Sequence, residues 1–238
     1  MKRICVILIV VMVHQVLFAQ EQDHKDSRFY FGASLGTSFP IRDFKEVDIN
    51  NPDAGFAKNG RKFDIYGGRF LNDQLTVTGI LRYQSFDTDI DGLIEIFNTE
   101  DPGADFRGTS EDWEAYYLLF GLAYRVVVSP KIDFFPRFGL GPLILSNPGI
   151  NISSVDGMIT NNFSRSTESG LGVGYELGIG FRRDLGKRFA LMPTFTFSGG
   201  VVTISDVVTT TDTVEIISDY QPRVQSFTLG LSLAYLFQ

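Results

Sequence analysis

From Leu171 to Phe181 every second residue is large and apolar: Leu171, Val173, Tyr175, Leu177, Ile179 and Phe181. Between them stand Gly172, Gly174, Glu176, Gly178 and Gly180, and Arg182 follows. A strand sends successive side chains to opposite faces of its sheet, so one face here is greasy and the other is tiny or charged. In a half-buried strand of a water-soluble protein, the face away from the core meets solvent and carries Lys, Glu, Thr or Ser. Glycine in that place implies a crowded interior, with the apolar residues pointing outward. An outward apolar face is stable in lipid, which is the pattern of a transmembrane β-barrel.

Seven other segments carry the same alternation. Residues 226–237 set Phe227, Leu229, Leu231, Leu233, Tyr235 and Phe237 against Ser226, Thr228, Gly230, Ser232 and Ala234. Residues 116–126 set Tyr116, Leu118, Phe120 and Leu122 against Tyr117, Leu119, Gly121 and Ala123. Residues 132–144 and 188–198 follow suit, while 28–38, 61–71 and 75–86 are noisier, with Phe29, Phe31, Phe63, Ile65, Val77 and Leu81 outward. Each is long enough to cross a bilayer when tilted, which takes roughly 9–11 residues. The expected fold class is therefore all-β: an eight-stranded antiparallel transmembrane up-and-down β-barrel. An even count closes the sheet and leaves no edge exposed to lipid.

The connections alternate in length, and this evidence is independent of hydropathy. Short turns lie at Asn72–Gln74, Ser129–Lys131 and Asp184–Lys187, whereas long polar loops are expected at 39–60, 87–112, 146–168 and 199–222. Outer-membrane barrels have short periplasmic turns and long extracellular loops. The same placement puts Tyr83, Tyr116, Phe197 and Phe227 near the outer interface, and Tyr124, Phe134, Phe181, Phe189 and Phe237 near the inner one. Arg69 falls on the lipid face and must snorkel to the periplasmic headgroups.

The N-terminus reads as an export signal. Lys2 and Arg3 precede an apolar run from Ile4 to Phe18, and cleavage is expected after Ala19. The expected organisation is a signal peptide at 1–19, a polar tail at 20–27 and a barrel at 28–238, delivered to the bacterial outer membrane. Cys5, the single cysteine, leaves with the signal, so the mature chain needs no disulfide. Cleavage also removes two of the 21 basic residues and none of the 28 acidic ones, leaving the mature chain more acidic than the formal −7 of the whole. Nucleic acid is excluded as a partner on charge.

With these segments in place, the chain resembles the small outer-membrane-protein β-barrel domain family, the group similar to the OmpA transmembrane domain and the PorT-like proteins. The resemblance covers residues 28–238 and rests on patterns of alternation and loop length. It implies outer-membrane lipid and lipopolysaccharide as surroundings, and the barrel assembly machinery as a partner during insertion. In the family the last strand ends on an aromatic residue read by that machinery; here Phe237 is followed by Gln238. No peptidoglycan-binding domain is expected after the last strand.

An eight-stranded barrel is wide enough only for its own side chains. Inward positions carry Arg82, Arg125, Arg137 and Arg182 with Asp64, Asp133 and Glu176. Charges held away from water must pair, so these seven are expected to form linked ion pairs in a polar plug. A register set by the 72–74 turn places Asp64 opposite Arg82. The two histidines, His14 and His24, fall in the signal and the tail, so no histidine-dependent catalysis is expected, and no cofactor. Asp87–Glu95 opens like a calcium loop, D-x-D-x-D-G, but its twelfth position is Asn98 instead of Glu; the alternative is a solvated acidic loop. Three functions are compatible with this pattern. They are a structural or interaction barrel acting through its loops, a narrow channel for small solutes or ions, and a secreted lipocalin-like barrel with the apolar face inward.

Overall fold

The computed structural model describes residues 29–49, 51, 53–130, 132–156, 159–186, 188–212 and 214–237. The expected signal peptide, the tail, both histidines and Gln238 lie outside the described residues. Among the described residues thirteen strands follow one another. They are β1 Phe29–Pro40, β2 Ala57–Phe70, β3 Leu75–Thr88, β4 Phe106–Ser110, β5 Trp113–Tyr124, β6 Val126–Ser129 and β7 Ile132–Ser146. After these come β8 Ile150–Asp156, β9 Ile159–Arg165, β10 Ser169–Asp184, β11 Phe189–Thr211, β12 Val214–Tyr220 and β13 Arg223–Phe237. One helix, α1, spans Ile90–Glu100.

Eight of these strands pair antiparallel in the order β1, β2, β3, β5, β7, β10, β11 and β13, and β13 returns to β1 to close a ring. Chain neighbours are sheet neighbours throughout the ring, which is an up-and-down, barrel-like arrangement. Period-two alternation decides what faces in. Along β3, Thr76, Thr78, Ile80, Arg82, Gln84 and Phe86 are buried, while Val77 and Leu81 are exposed. The glycine face of β10 is crowded as its composition implies. A Cβ on Gly174 would stand 2.6 Å from the Tyr117 ring, and one on Gly178 would stand 2.9 Å from Thr196.

The structure departs from the expected eight strands above the ring. The segments expected as polar loops are folded: β4, β8, β9, the outer part of β11, and β12 form a second antiparallel sheet in that order. β11 belongs to both sheets and runs 23 residues. Its ladder slips between Ile204 and Val207, where Asp206 takes φ 60, a left-handed conformation that Asp tolerates better than most residues. Such a bulge bends a strand and raises its twist, which redirects β11 out of the ring wall. α1 packs on this crown around buried Leu93, Ile150 and Ile152, with Phe97 5.4 Å from Phe106 and 5.8 Å from Phe163.

α1 also accounts for the calcium-like motif. Asp89 is its N-cap, accepting from the Gly92 N–H at 3.0 Å, and its carboxylate pairs with Lys58 at 2.8 Å. Asp and Asn favour this position because the side chain satisfies an orphan helical N–H. Asp87 thus lies near the end of β3, Asp89 caps α1 and Asp91 stands in its first turn, where the sequence suggested a loop.

Aromatic pairs sit at both ends of the wall. Tyr83 and Tyr116 lie 5.1 Å apart and Phe197 and Phe227 5.4 Å apart towards the crown. Phe134 and Phe181 lie 5.2 Å apart, and Phe189 and Tyr235 5.4 Å apart, at the short-turn end. Arg69 is exposed, its guanidinium 5.4 Å above the Phe29 ring.

Candidate functional site

The interior sorts into layers that can be followed along β3. Beneath the crown, Phe86 meets Phe44 edge-on at 5.0 Å, and Phe44 meets Trp113 at 5.4 Å. The Trp113 indole N–H donates to the Gly55 carbonyl at 2.8 Å, so this aromatic lid is satisfied as well as buried. Next comes Gln84, whose amide donates to Ser38 Oγ at 2.8 Å, with Ser38 and Thr228 hydroxyls 3.0 Å apart. Tyr117, Leu119, Leu143 and Leu145 fill the width here and are essentially inaccessible. The interior is thus packed with apolar and aromatic groups as well as polar ones, and is not a polar plug throughout.

Arg82 occupies the layer below. β2 and β3 pair with Asp64 directly opposite Arg82, and the guanidinium grips the carboxylate bidentately at 2.8 and 3.2 Å. The same Nη2 that bonds Asp64 also reaches across the interior to Glu176 on β10, three strands away around the ring. Arg137 on β7 holds the second oxygen of Glu176 at 2.6 Å. Lys62 adds a 2.8 Å pair to Asp64. The group contains three cations and two carboxylates and joins β2, β3, β7 and β10. Taking such ions out of water costs several kcal/mol each, which only close, multiply bonded geometry offsets.

The remaining predicted residues form a second group near the short turns. Asp133 is shared by Arg125 and Arg182, each at 3.0 Å, and Arg182 also meets Asp184 at 3.1 Å. The structure therefore divides the seven into two clusters instead of one network. Between them lies a small apolar gap of about 30 Å³, lined by Tyr30, Tyr66, Ile80, Phe135 and Met192 among others. That volume suits a water or two, not a ligand.

Lys62 was missed by the sequence reading, although its signal was present: it stands two residues before Asp64 and so shares its face. Gln84 and Tyr117 were legible the same way. Tyr117, whose ring lies 5.8 Å from the Arg82 guanidinium, supplies a π-face against the cation.

Comparison with known proteins adds the family. The profile described as "Outer membrane protein beta-barrel domain" matches residues 6–234. No curated protein matches the chain. Among solved structures, Neisserial surface protein A is 14% identical with a TM-score of 0.42, covering 90% of this chain and 100% of its own. A major outer membrane protein from Thermus thermophilus is 15% identical with a TM-score of 0.48, covering 88% and 99%. Ail, the attachment invasion locus protein of Yersinia pestis, is 14% identical with a TM-score of 0.39, covering 86% and 97%.

Proposed function

Because the chain belongs to the outer membrane protein β-barrel domain family, we propose that it is an integral eight-stranded barrel of the bacterial outer membrane whose role is structural and interactive. On this reading residues 1–19 are a cleaved signal peptide, 20–27 a polar tail and 28–238 the barrel with its crown. Outer-membrane lipid and lipopolysaccharide surround the wall, the barrel assembly machinery inserts it, and the crown meets protein partners outside the cell.

One observation carries the proposal: the wall is apolar outside and ionic inside. Leu35 is 66% exposed, Leu81 56% and Leu231 54%, whereas Asp64, Arg82 and Glu176 are 3% exposed or less. A water-soluble protein rarely exposes so continuous an apolar surface, and in lipid the same surface is buried. The packed layers from Phe86 to Arg82 favour a closed interior over a solute channel. The seven ion-paired residues, with Lys62, serve to tie the wall across its interior.

Nitroxide labels at Leu177 and Leu231 in reconstituted bilayers test this. High accessibility to oxygen and low accessibility to a water-soluble nickel chelate is the expected result. Labels that meet water or a packed protein interior would overturn it. Planar-bilayer recordings should show no porin-sized conductance.

A further inference from the structure

We propose that the outer edge of β12 is a docking strand that takes up an extended segment of a partner protein carrying basic residues, by strand addition to the crown sheet. The inference rests on the outer-membrane reading above and specifies which part of the crown binds, and by what chemistry.

Three observations converge. β12 pairs with β11 and with no other strand among the described residues, so one side presents unpaired backbone N–H and C=O groups. Free edges of this kind template the pairing of another chain, and proteins normally blunt them with Lys, Pro or a covering element. β12 has no Lys and no Pro, and every residue from Val214 to Asp219 is exposed. Its apolar side chains stand in the open as well: Val214 is 59% exposed, Ile216 57% and Ile217 62%. Tyr220 anchors the end of the strand, its ring 4.6 Å from the Arg165 guanidinium. The six residues before it, open on both faces and one edge, are poorly stabilised alone, whereas an added strand would satisfy their backbone and cover these side chains.

Charge selects the occupant. From Phe189 to Pro222 the chain carries Asp206, Asp212, Glu215 and Asp219 and no Lys or Arg. Glu215, Ile217 and Asp219 share one face of β12, because side chains alternate. An added strand therefore meets, on that face, an acid, an apolar residue and an acid. Its complement is a basic residue, an apolar residue and a basic residue at alternate positions, in either strand direction. A second copy of this chain is disfavoured, since full antiparallel overlap of two β12 strands sets Glu215 against Asp219, and like charges directly opposite are destabilising.

The test uses the full chain in phospholipid nanodiscs and a fluorescent peptide, Thr-Lys-Thr-Val-Val-Lys-Thr, read by anisotropy. Saturable binding is expected. Exchanging the peptide lysines for glutamate should weaken binding about tenfold or more, and the E215K/D219K variant should reverse that preference. N-methylation of alternate peptide backbone nitrogens keeps the charge but removes strand pairing, and should abolish binding. Equal binding of the methylated peptide, no binding of the parent peptide to a correctly inserted protein, or a dimer joined through β12 would each overturn the proposal. Failure of the protein to insert, read separately by carbonate extraction, would overturn the outer-membrane reading along with it.

Discussion

Replacing Glu176 with Gln keeps the shape of the side chain and removes the charge that joins Arg82 to Arg137. Arg82 and Glu176 are inaccessible, and the Arg137 side chain keeps only 9% exposure. After the change three cations face Asp64 alone, and the pair with Arg137 is gone. Breaking a buried pair by removing one partner costs about 3–5 kcal/mol, because the surviving charge stays desolvated. The bidentate Arg82–Asp64 grip remains, so the lower half of that range is expected. Trp113 is the single tryptophan and is buried in the aromatic lid, which makes its fluorescence an internal reporter of unfolding. Urea titrations of vesicle-reconstituted protein should show the Glu176→Gln midpoint well below that of the parent. A double substitution, Glu176→Leu with Arg137→Met, should recover much of the loss, since a packed apolar pair can replace a buried ion pair with little net cost. A loss below about 1 kcal/mol for Glu176→Gln, the size expected of a solvent-screened surface pair, would refute the claim that this group ties the wall.

Other outcomes follow from the same geometry. Gly174→Val drives a side chain into the Tyr117 ring and Leu143, so urea midpoints should report a loss of about 1–3 kcal/mol, the range for overpacking. Lys58→Ala removes a half-exposed partner of Asp89 and should cost less than about 1 kcal/mol in the same titration. Asp89→Ala removes the α1 cap and should cost about 1 kcal/mol of local stability, visible as faster amide exchange in Ile90–Glu100 without change in the wall. Burial opposes ionisation of Asp89, but the hydrogen bonds from Lys58 and the Gly92 N–H outweigh it and hold its pKa below the ordinary value. A depressed folded-state pKa contributes stability above the unfolded pKa of about 4 and loses it as pH falls further. Protection of the α1 amides relative to their intrinsic exchange rates should therefore be constant from neutral pH to about 5 and fall below about 4.

The wall was legible because lipid and a narrow interior impose opposite demands on alternating positions. Leu177 and Leu231 could face only outward, and Asp64 and Arg82 could meet only inside, once the short turn at 72–74 set the register. The crown was not legible for a physical reason. Strands such as β8 and β9 are short and rich in Ser, Asn and Thr, and pack on α1 instead of a continuous core, so they lack the run of alternating apolar residues that distinguishes a strand from a loop. α1 did leave a trace: Ile90, Leu93, Ile94 and Phe97 recur at helical spacing behind a capping Asp89. The acidic residues of the same stretch fit a metal-loop pattern as well, and pattern alone does not separate a carboxylate that caps from one that chelates. The bulge at Asp206 depends on how two sheets share one strand, which no local window of sequence contains.

The continuity of β11 has a mechanical consequence. Tension applied to the outer sheet by anything attached there passes down an unbroken polypeptide into the wall. Within the wall, β11 is flanked on both sides by long ladders, to β10 and to β13. A load along that strand is then shared as shear over many hydrogen bonds at once, instead of peeling them one by one. The bulge at Asp206 is the place where this line of force passes from one sheet to the other.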